Sequence, residues 1–175
     1  MDHYAGGELA ARHLLALGHR RISYIAGPSG LTISARRREG FLDCCQRAIQ
    51  AQEVAMAMPE ILEAGFDYHA GEALAARLFM RKHDELPTAI ATASDQQAIG
   101  IMRGASDYGL SIPRDLSIIG FDDPAGLTTP RLTTIVQPVR EIAETAVAAL
   151  LNPEMPQDTV LLSPTIKLRE TTIRL

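Results

Sequence analysis

Short apolar segments with strand character alternate with helical stretches along the 175 residues, an order that specifies an α/β domain built on a mainly parallel sheet. The run Leu116-Ser117-Ile118-Ile119-Gly120-Phe121 is the strongest strand signal in the chain. Hydrophobic residues make up 46% and charged residues 22%, an ordinary globular balance, so a core can form without a disulfide or metal staple.

The elements follow in order. Residues 5–17 have helical periodicity, with Ala10, Leu14 and Leu17 on one face and Gly18 placed to stop the helix. Residues 21–26 form a strand closed by Gly27-Pro28-Ser29-Gly30, and Ser34 is placed to cap a helix reaching about Gln50. A weaker strand spans 59–63, an alanine-rich helix 68–81, and a strand 89–92 after the breaker Pro87. Asp95 is placed to cap a helix over 96–108, which Gly109 ends. After the strand at 116–121, residues 132–136 are extended, 139–151 helical, and 160–162 extended again, with an edge strand at 165–169. Residues 153–158 form a loop.

Charge and motif content exclude several classes of function. With 21 acidic and 17 basic residues the net charge is −4, the wrong sign for a surface that tracks phosphates. No apolar run approaches a membrane span, and the first residues lack the basic start and apolar stretch of a secretory signal, which points to a soluble, cytoplasmic protein. Cys44 and Cys45 are adjacent, a strained arrangement for a bridge, and are expected to be reduced thiols. No C-x-x-C, H-E-x-x-H, G-x-S-x-G or Gly-Lys-Ser/Thr pattern occurs, and the five histidines are scattered. The expectation is a non-enzyme without metal or cofactor.

In an open parallel sheet, ligands bind beyond the carboxyl ends of the strands. The strand ends here lead to a helix bearing Arg36, Arg37 and Arg38, then to Gly65 and Phe66, to Ser94 and Asp95, and to Asp122 and Asp123. Cation, carboxylates, hydroxyl and aromatic face together form the set that holds a polyhydroxylated molecule. Singly, each has a plainer reading: a solvated arginine face, a turn at Asp122-Asp123-Pro124, a helix cap at Asp95, a core position at Phe66.

The same residues spell longer patterns. They are Gly18-His19-Arg20-Arg21-Ile22, Ser34-x-x-Arg37-x-x-Gly40-Phe41, Pro87-Thr88-Ala89-Ile90 and Asp95-x-x-Ala98-Ile99-Gly100. Gly109-Leu110-x-Ile112-Pro113-x-Asp115, continuous through Phe121-Asp122-Asp123, comes next, then Pro130-x-Leu132-Thr133-Thr134-Ile135-x-Gln137-Pro138 and Leu168-Arg169-Glu170-Thr171-Thr172. In these strings the chain resembles the effector-binding region of lactose-repressor-type (LacI/GalR) bacterial transcription regulators. The resemblance implies a periplasmic-binding-protein-like type I fold, here as one nearly complete lobe plus a fragment of the second. Residues 1–137 would form the carboxyl-terminal lobe, 138–163 a helix and strand of the amino-terminal lobe, and 164–175 a return to the first. The DNA-binding helix-turn-helix would be absent, so DNA would be bound only through a domain outside this chain.

Site residues implied by the resemblance are Arg37, which pairs with the ligand, Phe66 as an aromatic wall, Ser94 where many members carry Asn, and Asp122, which takes ligand hydroxyls. Gln137 falls at the lobe hinge. Arginine beside carboxylates suits a neutral sugar, a sugar acid or a nucleoside, and a sugar or sugar acid is the expected effector. Homodimerisation is implied through the helix carrying Ile99, Ile101 and Met102 and the segment carrying Leu127. The rival readings are a periplasmic sugar-binding transport protein of the same superfamily and, more remotely, a small flavodoxin-like enzyme.

Overall fold

The computed structural model describes residues 1–123, 128–152 and 160–175. The elements are α1 (His3–Ala16), β1 (Ile22–Ala26), α2 (Thr32–Gln50), β2 (Glu60–Glu63), α3 (Tyr68–Phe79), β3 (Ala89–Thr92), α4 (Asp95–Asp107), β4 (Ser117–Asp122), β5 (Thr133–Val136), α5 (Val139–Leu151) and β6 (Thr165–Lys167). One sheet runs β2-β1-β3-β4-β5-β6, parallel throughout except for the antiparallel edge strand β6.

Strand side chains alternate between two cores, as the period of two requires. Tyr24, Ala91 and Phe121 face α1 and α2, whereas Ile25, Ile90 and Ile118 face α3 and α4. The α1–α2 pair is close because two glycines leave room: a Cβ on Gly7 would overlap the Arg37 carbonyl oxygen, and one on Gly40 the Tyr4 carbonyl oxygen. The order 2-1-3-4-5 reverses between β1 and β3, which opens a crevice where the chain leaves these strands towards opposite faces.

The tail seals the other end of the sheet. Thr171 Oγ1 donates to the Ile118 carbonyl and accepts from Thr133 N–H. Buried His19 bridges Thr88 Oγ1 and the Ile173 carbonyl with its ring, holding the tail, while its backbone N–H closes the end of α1 on the Leu14 carbonyl. Both cysteines are free thiols.

Several local expectations are corrected. Ser34 is a buried residue inside α2, which starts two residues earlier behind Leu31, with no side-chain cap. Ser94, not Asp95, caps α4. Residues 160–162 join no ladder: Leu162 accepts one hydrogen bond from Asp2 N–H instead. Ile101 and Met102 are buried with Ala98 and Ala105, because α4 packs on both the sheet and α3 and uses its apolar positions there. Neither can serve as an exposed interface side chain; Ile99 remains half-buried. Leu127 and the loop at 153–158 lie outside the described residues.

Candidate functional site

The carboxyl edge of the sheet brings together Arg37 from α2, Asp122 from the end of β4, Gln137 just beyond β5 and His3 at the start of α1. Arg37 is central to this group and only 4% exposed. It shares a helix face with Ser34, Gly40 and Phe41, the side of α2 that meets the sheet, while Arg36 points outward to Glu39. Its guanidinium lies 3.6 Å from the centroid of the Phe121 ring and donates to the Ala93 carbonyl, to Asp122 Oδ1 at 3.4 Å and to His3 Nδ1 at 3.3 Å. Arginine can only donate, so His3 must present an unprotonated Nδ1. Burial and the Arg37 charge both lower the His3 pKa and keep the ring neutral.

Asp122 accepts from Gln137 Nε2 at 2.5 Å as well, on the same Oδ1, and its side chain is 38% exposed. Burial raises its pKa, while Arg37 and Gln137 pull the other way. Its backbone φ is 126° and that of Asp123 is 65°, two successive non-glycine residues outside the favoured regions. Asp123 turns away from the crevice to pair with Lys167 at 3.1 Å and with Arg169. Burial raises its carboxyl, but these two cations outweigh it and hold the pKa below the usual value.

Ser94 and Phe66 form a second group. The Ser94 hydroxyl donates to the Phe66 carbonyl at 2.8 Å and accepts from Gln97 N–H, and Gln97 returns a bond to Ser94 N–H, a complete capping box. Through this bond Ser94, which is buried, holds the Phe66 backbone at the end of the loop after β2. Phe66 is half-buried over Gly27, where any Cβ would collide with its ring. The two groups adjoin through Ala93, whose carbonyl takes Arg37.

Two contributors, His3 and Gln97, were not singled out from the sequence, and a third, Asp95, has a different place from the one expected. His3 follows the helix-capping Asp2, which offers no sign that the imidazole turns inward. Fully buried Gln97 ties the ends of β1 and β2 through the carbonyls of Ala26, Ala64 and Gly65. Asp95, expected as a cap, is instead buried beneath the Asp122–Asp123 turn. The spacing of Ser34, Arg37 and Phe41 on one face was the available signal that Arg37, alone of the three arginines, faces inward.

A mainly parallel sheet whose carboxyl edge gathers an arginine, a carboxylate, an amide and an aromatic ring has these groups where open α/β sheets place their ligand sites. Residues 11–172 match the periplasmic binding protein-like domain. The chain belongs to that family, and within it to the effector-binding region of LacI/GalR-type transcription regulators. It is 35% identical over 172 residues to the ribose operon repressor of Haemophilus influenzae, covering 95% of this chain and 50% of that one. Its structure is similar to that of a dimeric Lac repressor with an 11-residue C-terminal deletion, at 28% identity and a TM-score of 0.86, covering 99% of this chain and 63% of that one. A LacI-family regulator from Enterococcus faecium with bound ribose gives 30% identity and a TM-score of 0.82, with coverage of 99% and 64%. The chain spans half or less of the length of the curated relatives it matches. Among the described residues no helix is long and apolar enough to cross a membrane.

Proposed function

We propose that this chain senses a sugar or sugar acid for a cytoplasmic transcription regulator, and that it does so as one wall of a two-lobed cleft. The observation that carries the proposal is the Arg37–Asp122–Gln137 cluster at the carboxyl edge of the sheet. A carboxylate held by arginine and amide on one oxygen and partly open to solvent is suited to receive paired hydroxyls, and Phe66 offers an apolar face to a sugar ring. The ribose operon repressor and the ribose-bound regulator support a saccharide as ligand.

Residues 1–137 and 164–175 then form the carboxyl-terminal lobe, and 138–163 belong with the opposite lobe. None of the α5 residues is buried, and Val139, Val147, Leu150 and Leu151 are exposed, as expected of a helix whose packing partners lie outside this chain. Gln137 sits at the crossover and bonds the ligand-facing carboxylate, so lobe closure and ligand contact share a residue. Operator DNA is contacted through a separate domain, and two copies associate through the outer face of α4 near Ile99 and the segment containing Leu127. Calorimetric titration of ribose into this chain and into a full-length regulator containing it tests the two-lobe reading. Much weaker binding by this chain is expected, whereas equal affinities would contradict it.

A further inference from the structure

The Asp122–Asp123 turn is held from beneath by a buried carboxylate, that of Asp95. Asp95 is 1% exposed at the first turn of α4, yet its carboxylate is not spent on that helix's amino-terminal N–H groups, which Ser94 serves. Its Oδ1 accepts from Thr134 Oγ1 at 2.7 Å and its Oδ2 from Asp123 N–H at 2.8 Å. The pocket is made for it: a Cβ on Gly120 would overlap Asp95 Oδ1. Directly above lie two consecutive residues at positive φ, a conformation that L side chains adopt only when surroundings enforce it. The Asp123 side chain is tied by Lys167 and Arg169, and its backbone by Asp95. With Asp123 pinned from both sides, Asp122 has little freedom but to turn Oδ1 towards Arg37 and Gln137.

We propose that Asp95 is a positioning residue for the effector site: by gripping Asp123 N–H it sets the left-handed turn that aims Asp122 at Arg37. This rests on the reading of Asp122 as an effector contact, but its mechanical part does not need an effector to be observed.

The test uses the isotope-labelled chain and reads the amide exchange rate of Asp123 and the Nε–H resonance of Arg37 by NMR. Asp95→Ala is expected to speed Asp123 exchange by about ten-fold or more and to move the Arg37 resonance, while amides of β1 and β3 keep their protection. Asp95→Asn, which retains one acceptor of the same shape, is expected to restore both signals in large part; a general packing role would not distinguish the two variants in this way. Should Asp95→Ala not fold, Thr134→Val serves instead: it frees one carboxylate oxygen and is expected to raise Asp123 exchange alone. Unchanged Asp123 exchange and an unmoved Arg37 resonance in the variant that folds would overturn the proposal. Ribose titration of the parent chain is read separately. Its failure would count against the effector reading, whereas failure of the exchange test counts against the clamp.

Discussion

Replacing Arg37 with alanine should cost stability as well as binding, although a strand-end arginine read from sequence alone invites the opposite expectation of a solvent-facing ligand contact. In the folded chain Arg37 is 4% exposed, and its removal eliminates three hydrogen bonds and a contact with the Phe121 ring. A hydrogen bond from a charged donor to the buried Ala93 carbonyl contributes about 1.5–3 kcal/mol, and a desolvated cation–π contact about 1–2 kcal/mol. The Asp122 pair adds little, because that carboxylate is 38% exposed and solvent screens it. Relief of the arginine's own burial cost offsets part of the total, leaving a net loss of about 3 kcal/mol. At about 2–4 °C per kcal/mol for a chain of this size, the melting temperature should fall by roughly 6–12 °C. Arg37→Met would place an unbranched apolar side chain against the Phe121 ring and should recover part of the loss. Thermal unfolding followed by circular dichroism without ligand measures this directly. A fall of less than about 2 °C would show that the network around Arg37 contributes nothing to the fold and that the reasoning is wrong.

Gly7→Ala should destabilise by about 2 kcal/mol despite the better helix propensity of alanine, because the new Cβ would lie 2.9 Å from Phe41 N and against the Arg37 carbonyl; an unchanged urea midpoint would argue against the close α1–α2 contact. Asp95 gives a pH dependence of defined sign. Burial, with minor repulsion from Asp122 and Asp123, outweighs its bonds from Thr134 and Asp123 N–H and raises its pKa from 3.8 to about 6. The native state therefore holds a proton that the unfolded chain releases, and this group's contribution, about 3 kcal/mol, is present at low pH and lost as pH rises from about 4 to 6. The stability of the parent relative to Asp95→Asn should fall by about 3 kcal/mol as pH rises across that window, and a pH-independent difference would contradict the assignment. Ile101→Asp should abolish folding by burying an unpaired charge, whereas Ile99→Asp should leave the fold intact and lower the mass seen by light scattering; a folded Ile101→Asp chain would refute the buried placement.

The α/β order and the strand sequence were legible because each strand is bounded by a glycine, a proline or a capping residue, and 139–151 was read with its observed limits. Caps were less legible. Ser34 precedes a helical run just as a cap would, but the helix begins at Thr32 and turns Ser34 inward; at Ser94-Asp95 two adjacent residues both suit a cap, and only the returning bond from Gln97 decides. Arg37, Asp122 and Gln137 were identified through the resemblance to a family, and their mutual bonds depend on β4 and β5 lying side by side over α2, which no local pattern encodes. The bond from Ser94 to the Phe66 carbonyl was not legible because the two residues are 28 positions apart in the chain. The burial of Ile101, expected at a dimer interface, was not legible because counting apolar positions on α4 cannot reveal that the helix packs on two surfaces at once.

We propose that the carboxyl edge of this sheet is a saccharide-binding wall centred on Asp122. NMR titration of the chain with ribose, repeated with Asp122→Asn, tests it most directly. Saturable shifts at Arg37, Phe66, Asp122 and Gln137 are expected in the parent chain, and their loss in the variant with the rest of the spectrum preserved. Shifts mapping to another face, or identical binding by Asp122→Asn, would contradict it.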